Sequence, residues 1–191
     1  MEAFIEHINN VYPLPQHCLE KILALVEVEN HTAGFKIVEQ GKKTEDLFFS
    51  LEGICRAYIT TNEGVEKSTF IFPENSFLGA ITCLISEVIP YATIECVTNC
   101  KLARINYYKF IELTDTFIEI NKLHRANLEK AYVNLEKRDF ELANLNATER
   151  YVSLKKDIPQ IDNILPQKKI ASYLGITNVQ LSRLKKLLYS L

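Results

Sequence analysis

The sequence predicts an α+β protein: an N-terminal antiparallel β-barrel or sandwich with flanking helices, then one long helix, then a short helical unit. Three observations carry this. Between Thr32 and Ile105, short runs rich in β-branched and aromatic residues alternate with turn residues. From Phe117 to Leu145, apolar residues recur at spacings of three and four. From Pro166 to Leu188, the chain reads as two short helices broken by one tight turn. The expected units are 1–112, 113–145 and 146–191.

Residues 1–29 read as two short helices. Pro13 and Pro15 separate Phe4–Ile8 from a stretch carrying Leu19, Ile22, Leu23 and Val26 at helical spacing. The barrel strands are expected at 35–38, 47–50, 53–59, 68–72, 91–97 and 101–105, punctuated by Gly41, Gly64 and Asn75. Gly53, at the head of a strand, marks a bulge or a close backbone approach. Asn106 opens the long helical region. Its stripe of Phe117, Asn121, His124, Leu128, Ala131, Leu135, Arg138, Leu142 and Leu145 is too long for a small barrel to bury, which points to a partner helix from a second subunit. Phe117, His124, Leu128, Ala131, Leu135 and Leu142 are the expected dimer positions, with His124 and Arg138 as polar, register-setting members of the stripe. Asn146-Ala-Thr-Glu149 has the pattern of a helix cap.

The C-terminal stretch is the most specific. Pro166 suits the first position of a helix. Ile170 and Leu174 lie on one face, with Ala171 small enough for a close helix crossing. Gly175 ends that helix by adopting the left-handed conformation at little cost. Thr177 and Gln180 form a capping box for the next helix, and Ile176 staples onto Leu181. Leu181, Leu184 and Leu188 then make one buried stripe. This is a helix-turn-helix, whose second helix is free to enter a DNA major groove.

At about 100° per residue, Val179, Ser182, Arg183 and Lys186 point outward, with Asn178 on the flank. Arg grips guanine with two hydrogen bonds, Asn does the same with adenine, and Val meets a thymine methyl. Lys168, Lys169, Lys185 and Lys186 suit phosphates. The expected DNA-facing set is Gln167, Lys168, Thr177, Asn178, Val179, Gln180, Ser182, Arg183 and Lys186.

Charge agrees with this. The net charge is −2, yet residues 146–191 carry eight Lys and Arg against three Asp and Glu. A basic C-terminal unit on an acidic body is what DNA contact at one end requires. No apolar run of about eighteen residues is present, so no membrane span is expected. The start Met1-Glu-Ala-Phe-Ile-Glu is not that of a signal peptide. The five cysteines, Cys18, Cys55, Cys83, Cys96 and Cys100, are odd in number and scattered, which fits free thiols in a reducing cytoplasm. Cys96 and Cys100 are weighed as a shared metal or iron–sulfur ligand pair against buried strand thiols; the second reading is preferred, and no metal or cofactor is expected.

A barrel, a long dimer-type helix and a C-terminal helix-turn-helix, in that order, resemble the Crp/Fnr family of bacterial transcription regulators. The resemblance rests on Gly41, Gly53, Asn75-Ser-Phe-Leu-Gly79 and the run from Ile170 to Arg183. It implies a double-stranded β-helix of jelly-roll type, similar to a cyclic-nucleotide-binding domain. It also implies a homodimer on double-stranded DNA with an inverted-repeat operator, no catalytic activity, and RNA polymerase as a further partner. The chain departs from the family's pattern in two places. Ala80 stands where cyclic-nucleotide-binding members carry a Glu for the ribose hydroxyl, and Pro90 stands where they carry an Arg for the phosphate. An effector is therefore expected to be something other than cAMP, or absent. The candidate effector pocket is Leu78, Gly79, Ala80, Ile81, Tyr91, Ala92 and Thr93. Only Cys18 lies in the region where iron–sulfur members hold their cluster, and no residues follow the last helix for the family's β-hairpin wing.

Two other function classes are weighed against this one. The first is a sensor or protein-interaction module whose helix-turn-helix does not bind DNA; Arg183 and the basic balance speak against it. The second is a cupin-like barrel enzyme, which needs His and carboxylate ligands on strands. The four histidines, His7, His17, His31 and His124, all fall outside the expected strands.

Overall fold

The computed structural model describes residues 1–189. Two helices, α1 (Glu2–Val11) and α2 (Gln16–Leu23), precede β1 (Val26–His31), β2 (Lys36–Val38), β3 (Asp46–Glu52), β4 (Cys55–Thr60), β5 (Glu66–Phe72) and β6 (Phe77–Leu78). A short helix α3 (Ile81–Ser86) leads to β7 (Thr93–Cys96) and β8 (Cys100–Asn106). The remainder is helical: α4 (Tyr107–Thr116), α5 (Ile118–Asn144), α6 (Ala147–Asp157), α7 (Ile161–Ile164), α8 (Gln167–Leu174) and α9 (Asn178–Tyr189).

The strands form two four-stranded antiparallel sheets, ordered β1-β8-β3-β6 and β2-β7-β4-β5. This is the expected jelly roll. Val38, Phe48, Cys55, Ala57, Leu78, Ile94 and Leu102 fill the space between the sheets. Strand alternation sends the neighbours of these residues to the outer faces. Phe49, Leu51, Ala103 and Ile105 thus meet Phe4, Ile8, Ile22, Phe110, Ile120 and Leu123 from α1, α2, α4 and α5. With both faces covered, β3 is buried from Leu47 to Leu51. Gly53 has φ +86°, and a Cβ there would lie 2.4 Å from the Asn99 carbonyl, so the expected close approach is present.

Three expectations need correction. Val26 begins β1 and does not continue the second helix. Its strand, Val26-Glu-Val-Glu, alternates apolar and acidic residues, and Glu29 pairs with Arg104 of β8 at 2.9 Å. Because β1 extends to His31, one histidine does lie on a strand, where it bonds Glu29 at 2.9 Å. Third, the long helix is broken. Phe117 is extended (φ −120°, ψ 111°) between α4 and α5, and packs beside the barrel helices. Asn106 caps α4 as expected, accepting from the Lys109 N–H.

Candidate functional site

The helix-turn-helix is assembled mostly by local chemistry. Gly175 has φ +70°, and the Ile176 N–H returns to the Ala171 carbonyl at 3.0 Å, which closes the end of α8. The Thr177 N–H donates to Gln180 Oε1 at 2.8 Å, and the Gln180 N–H donates to Thr177 Oγ1 at 3.2 Å. The capping box is therefore complete. Pro166 stands one position earlier than expected, as the residue flanking α8. Ile170, Ala171, Leu174, Leu181 and Leu184 are buried together with Tyr151, Leu154 and Ile161 of α6 and α7. Beneath them Asp162 accepts from the Tyr151 hydroxyl at 2.6 Å and pairs with Lys185 at 2.5 Å. Burial alone would raise the Asp162 carboxyl; the hydrogen bonds from Lys185, Tyr151 and Lys155 outweigh it and hold it below its usual value.

This anchoring leaves one face of α9 outward. Asn178, Val179, Ser182, Arg183 and Lys186 are all exposed, as are Gln167 and Lys168 on α8. Thr177 and Gln180 are exposed as well, with Thr177 Oγ1 and Gln180 Oε1 engaged in the cap. Two lysines suited to phosphates are instead spent within the chain, Lys185 on Asp162 and Lys169 on Glu95.

Lys169 belongs to a polar junction between α8 and the barrel that sequence reasoning missed. Its ammonium lies 2.6 Å from Glu95 Oε1, which also accepts from Arg56 at 2.7 Å. Arg56 is 1% exposed, and it also binds Ser68 Oγ at 3.0 Å and Glu66 Oε2 at 2.6 Å. The Ser68 N–H donates to Ser172 Oγ of α8 at 2.9 Å. Burial pushes the Glu95 carboxyl upward, but hydrogen bonds from Lys169 and Arg56 prevail and lower it. The available signal was one charged residue inside each of two apolar strand runs, Arg56 and Glu95.

A second junction ties α5 to α8. Arg138 is buried, donates to the Tyr173 carbonyl, and lies 3.7 Å over the Tyr173 ring. This places a cation at the C-terminal end of α8, where the last carbonyls lack partners. Arg138 therefore faces its own chain rather than a partner helix. His124 also turns inward, 5.4 Å from the Phe110 ring, and burial lowers its pKa. Leu128 is half-buried, while Ala131, Leu135 and Leu142 are exposed beside Tyr132, Val133 and Phe140.

A cavity of about 660 Å³ opens between the barrel and α5. Leu78, Gly79, Ala80, Ile81, Pro90, Tyr91 and Ala92 line its barrel end, and no cation stands among them. Leu128, Ala131 and Leu135 of α5 line the opposite wall, with Lys137 and Arg138 further along the same helix. Thr93 does not line it: Thr93 is buried in β7, where its hydroxyl accepts from the Gln40 N–H at 3.1 Å. The histidines on α1, α2, β1 and α5 form no converging ligand group among the described residues.

Residues 28–117 match the cyclic nucleotide-binding domain family. The cAMP-activated global transcriptional regulator CRP of Pasteurella multocida is 23% identical over 132 residues, which are 69% of this chain and 63% of that protein. The cAMP-activated global transcriptional regulator Vfr of Pseudomonas aeruginosa is 26% identical over 145 residues, 74% of this chain and 68% of its own. This chain thus spans about two thirds of the length of the curated relatives it matches. Among solved structures, a transcriptional regulator of the Crp/Fnr family from Eubacterium rectale superposes with a TM-score of 0.73 at 15% identity, covering 95% of this chain and 88% of that one. The c-di-GMP responsive regulator CLP of Xanthomonas campestris superposes with a TM-score of 0.70 at 18% identity, covering 92% of each chain. These two structural likenesses concern the fold alone. Among the described residues no helix is long and apolar enough to cross a membrane.

Proposed function

We propose that the chain is a transcription regulator of the Crp/Fnr type that acts as a homodimer binding an inverted-repeat operator through α9. The observation that carries this reading is the outward row of Asn178, Val179, Ser182 and Arg183 on a helix capped at one end and anchored by Leu181 and Leu184. Arg183 reads a guanine, Asn178 and Val179 read neighbouring bases, and Lys168 and Lys186 hold phosphates. The exposed apolar residues of α5, Tyr132, Val133, Leu135, Phe140 and Leu142, support pairing with the same helix of a second copy. Binding requires no catalytic group, and none is assigned. RNA polymerase is the proposed downstream partner. The cytoplasm is the proposed compartment, consistent with five free cysteines.

The barrel cavity is the proposed effector site, for a ligand more apolar than a cyclic nucleotide. Its barrel end offers Ala80 and Pro90 where a ribose and a cyclic phosphate would need a carboxylate and a guanidinium.

Retention of random duplex DNA tests the binding itself. The chain should hold duplex DNA at low salt and release it as salt rises. No retention at low salt would remove the DNA-binding reading and leave an interaction module.

A further inference from the structure

Three thiols that are scattered in the sequence meet inside the barrel. Cys55 opens β4, Cys96 closes β7 and directly faces it in the register, and Cys100 opens β8. Their Sγ atoms all lie within 4.8 Å of one another, with Cys55 and Cys100 at 3.8 Å. All three are free and at most 4% exposed. Among the described residues this is the one group of His, Cys, Asp or Glu side chains whose ligand atoms converge.

The spacing suits one central ion. A bond of about 2.3 Å from each sulfur to such an ion sets the sulfurs about 4 Å apart. The walls are apolar: Phe48, Ala57, Ile94 and Leu102 belong to the same core. A surface pocket of about 250 Å³ beside His31, Glu52 and Asn99 reaches Cys100 and provides a way in. A Cβ at Gly53 would stand 2.8 Å from Cys100 Sγ, so the glycine leaves that sulfur uncrowded.

Charge selects the ion. Thiolates prefer soft, thiophilic partners. Three thiolates around a monovalent or divalent ion would leave net negative charge in an apolar core, where an uncompensated charge is costly. Around a trivalent ion the charges cancel. We propose that Cys55, Cys96 and Cys100 form a binding site for trivalent arsenic or antimony, held as a neutral tris-thiolate. With arsenous acid, three S–H bonds and three As–OH bonds break, three As–S bonds form and three waters leave. No atom changes oxidation state. Arg56 and Glu95 follow and precede Cys55 and Cys96 in their strands and point to the opposite face, where Glu95 holds Lys169 of α8. The ion therefore sits one residue from the contact between barrel and helix-turn-helix. The binding proposal stands whether or not the chain binds DNA.

The test uses the full chain, reduced, incubated with arsenite and desalted. Native mass spectrometry should find a single arsenic per chain, with the loss of three hydrogens. A Cys18→Ala/Cys83→Ala variant should retain it fully, and Cys100→Ala should lose it. Because a core variant can unfold, arsenic-edge X-ray absorption on the unmodified chain gives a second reading, expected to show three sulfur neighbours. The proposal is overturned by any of four results: no retained arsenic, fewer than three sulfur neighbours, loss in the Cys18/Cys83 variant, or full retention in a folded Cys100→Ala. Tight zinc binding without arsenite binding would overturn it too.

Discussion

Arg183 is exposed on α9 while its neighbour Leu184 is buried, so deletion of its side chain should leave the fold intact. Arg183→Ala is expected to weaken operator binding by about 1–3 kcal/mol and to relax preference at one base pair. Lys168→Ala should instead weaken all duplexes alike and flatten the salt dependence. Anisotropy titrations on operator and random DNA check the pair of roles; an equal loss on both for Arg183→Ala would show that Arg183 holds phosphate. At this scale, legibility followed the distance between partners in the sequence. Thr177 and Gln180 are three residues apart, so their cap was readable. Arg138 and Tyr173, or Lys169 and Glu95, meet only after the helices have docked on the barrel. The same reason hid Lys169: its charge marked it for phosphate, and its position spent it on a carboxylate.

Among the elements, α5 is the most exposed in its second half, from Tyr132 to Phe140, where apolar residues lie open. Such a surface is expected to close against a second copy, with the two α9 helices about 34 Å apart. Light scattering should therefore find a dimer, and Leu135→Glu with Leu142→Glu should yield monomer; a monomer in the unmodified chain at micromolar concentration would contradict the role given to α5. The contact of α8 with the barrel predicts an acid response. Glu95 is held below its ordinary pKa, so its contribution is complete above the usual carboxylate range, about pH 4.3, and is lost as pH falls through its lowered value. Below about pH 4.5 stability should then fall more steeply in the native chain than in Glu95→Gln, which keeps the acid response of Asp162. At neutral pH that variant should lose less than the about 3–5 kcal/mol of an unpaired buried charge, because Arg56 loses Glu95 but keeps Glu66 as a carboxylate partner. Identical acid profiles would mean that the ion pairs add nothing. Six of the eight strands, β2, β3, β4, β5, β7 and β8, were legible from β-rich runs between turns. β1 was not, because Val26 also continues the spacing of the helix before it, and β6 has only two residues.

In the whole molecule, sheet β1-β8-β3-β6 carries the flanking helices and α5, while sheet β2-β7-β4-β5 carries α8. The cavity lies between the barrel and α5, so a ligand there touches both the sensor-like barrel and the proposed dimer helix. Its barrel end lacks a cation, and a cyclic phosphate buried there would lose about 3–5 kcal/mol of compensation. Calorimetry should accordingly find no saturable cAMP binding below about 10 μM. A tighter constant would mean that Lys137 or Arg138 on α5 supplies the missing charge. The central claim is that two copies of α9 read a symmetric DNA site. Selection of bound duplexes from a random pool, followed by sequencing, tests it most directly. The expected product is an inverted repeat with half-site centres about 10 base pairs apart and a guanine in each half-site. A bound pool no different from the starting pool, or one enriched in a single unrepeated site, would contradict it.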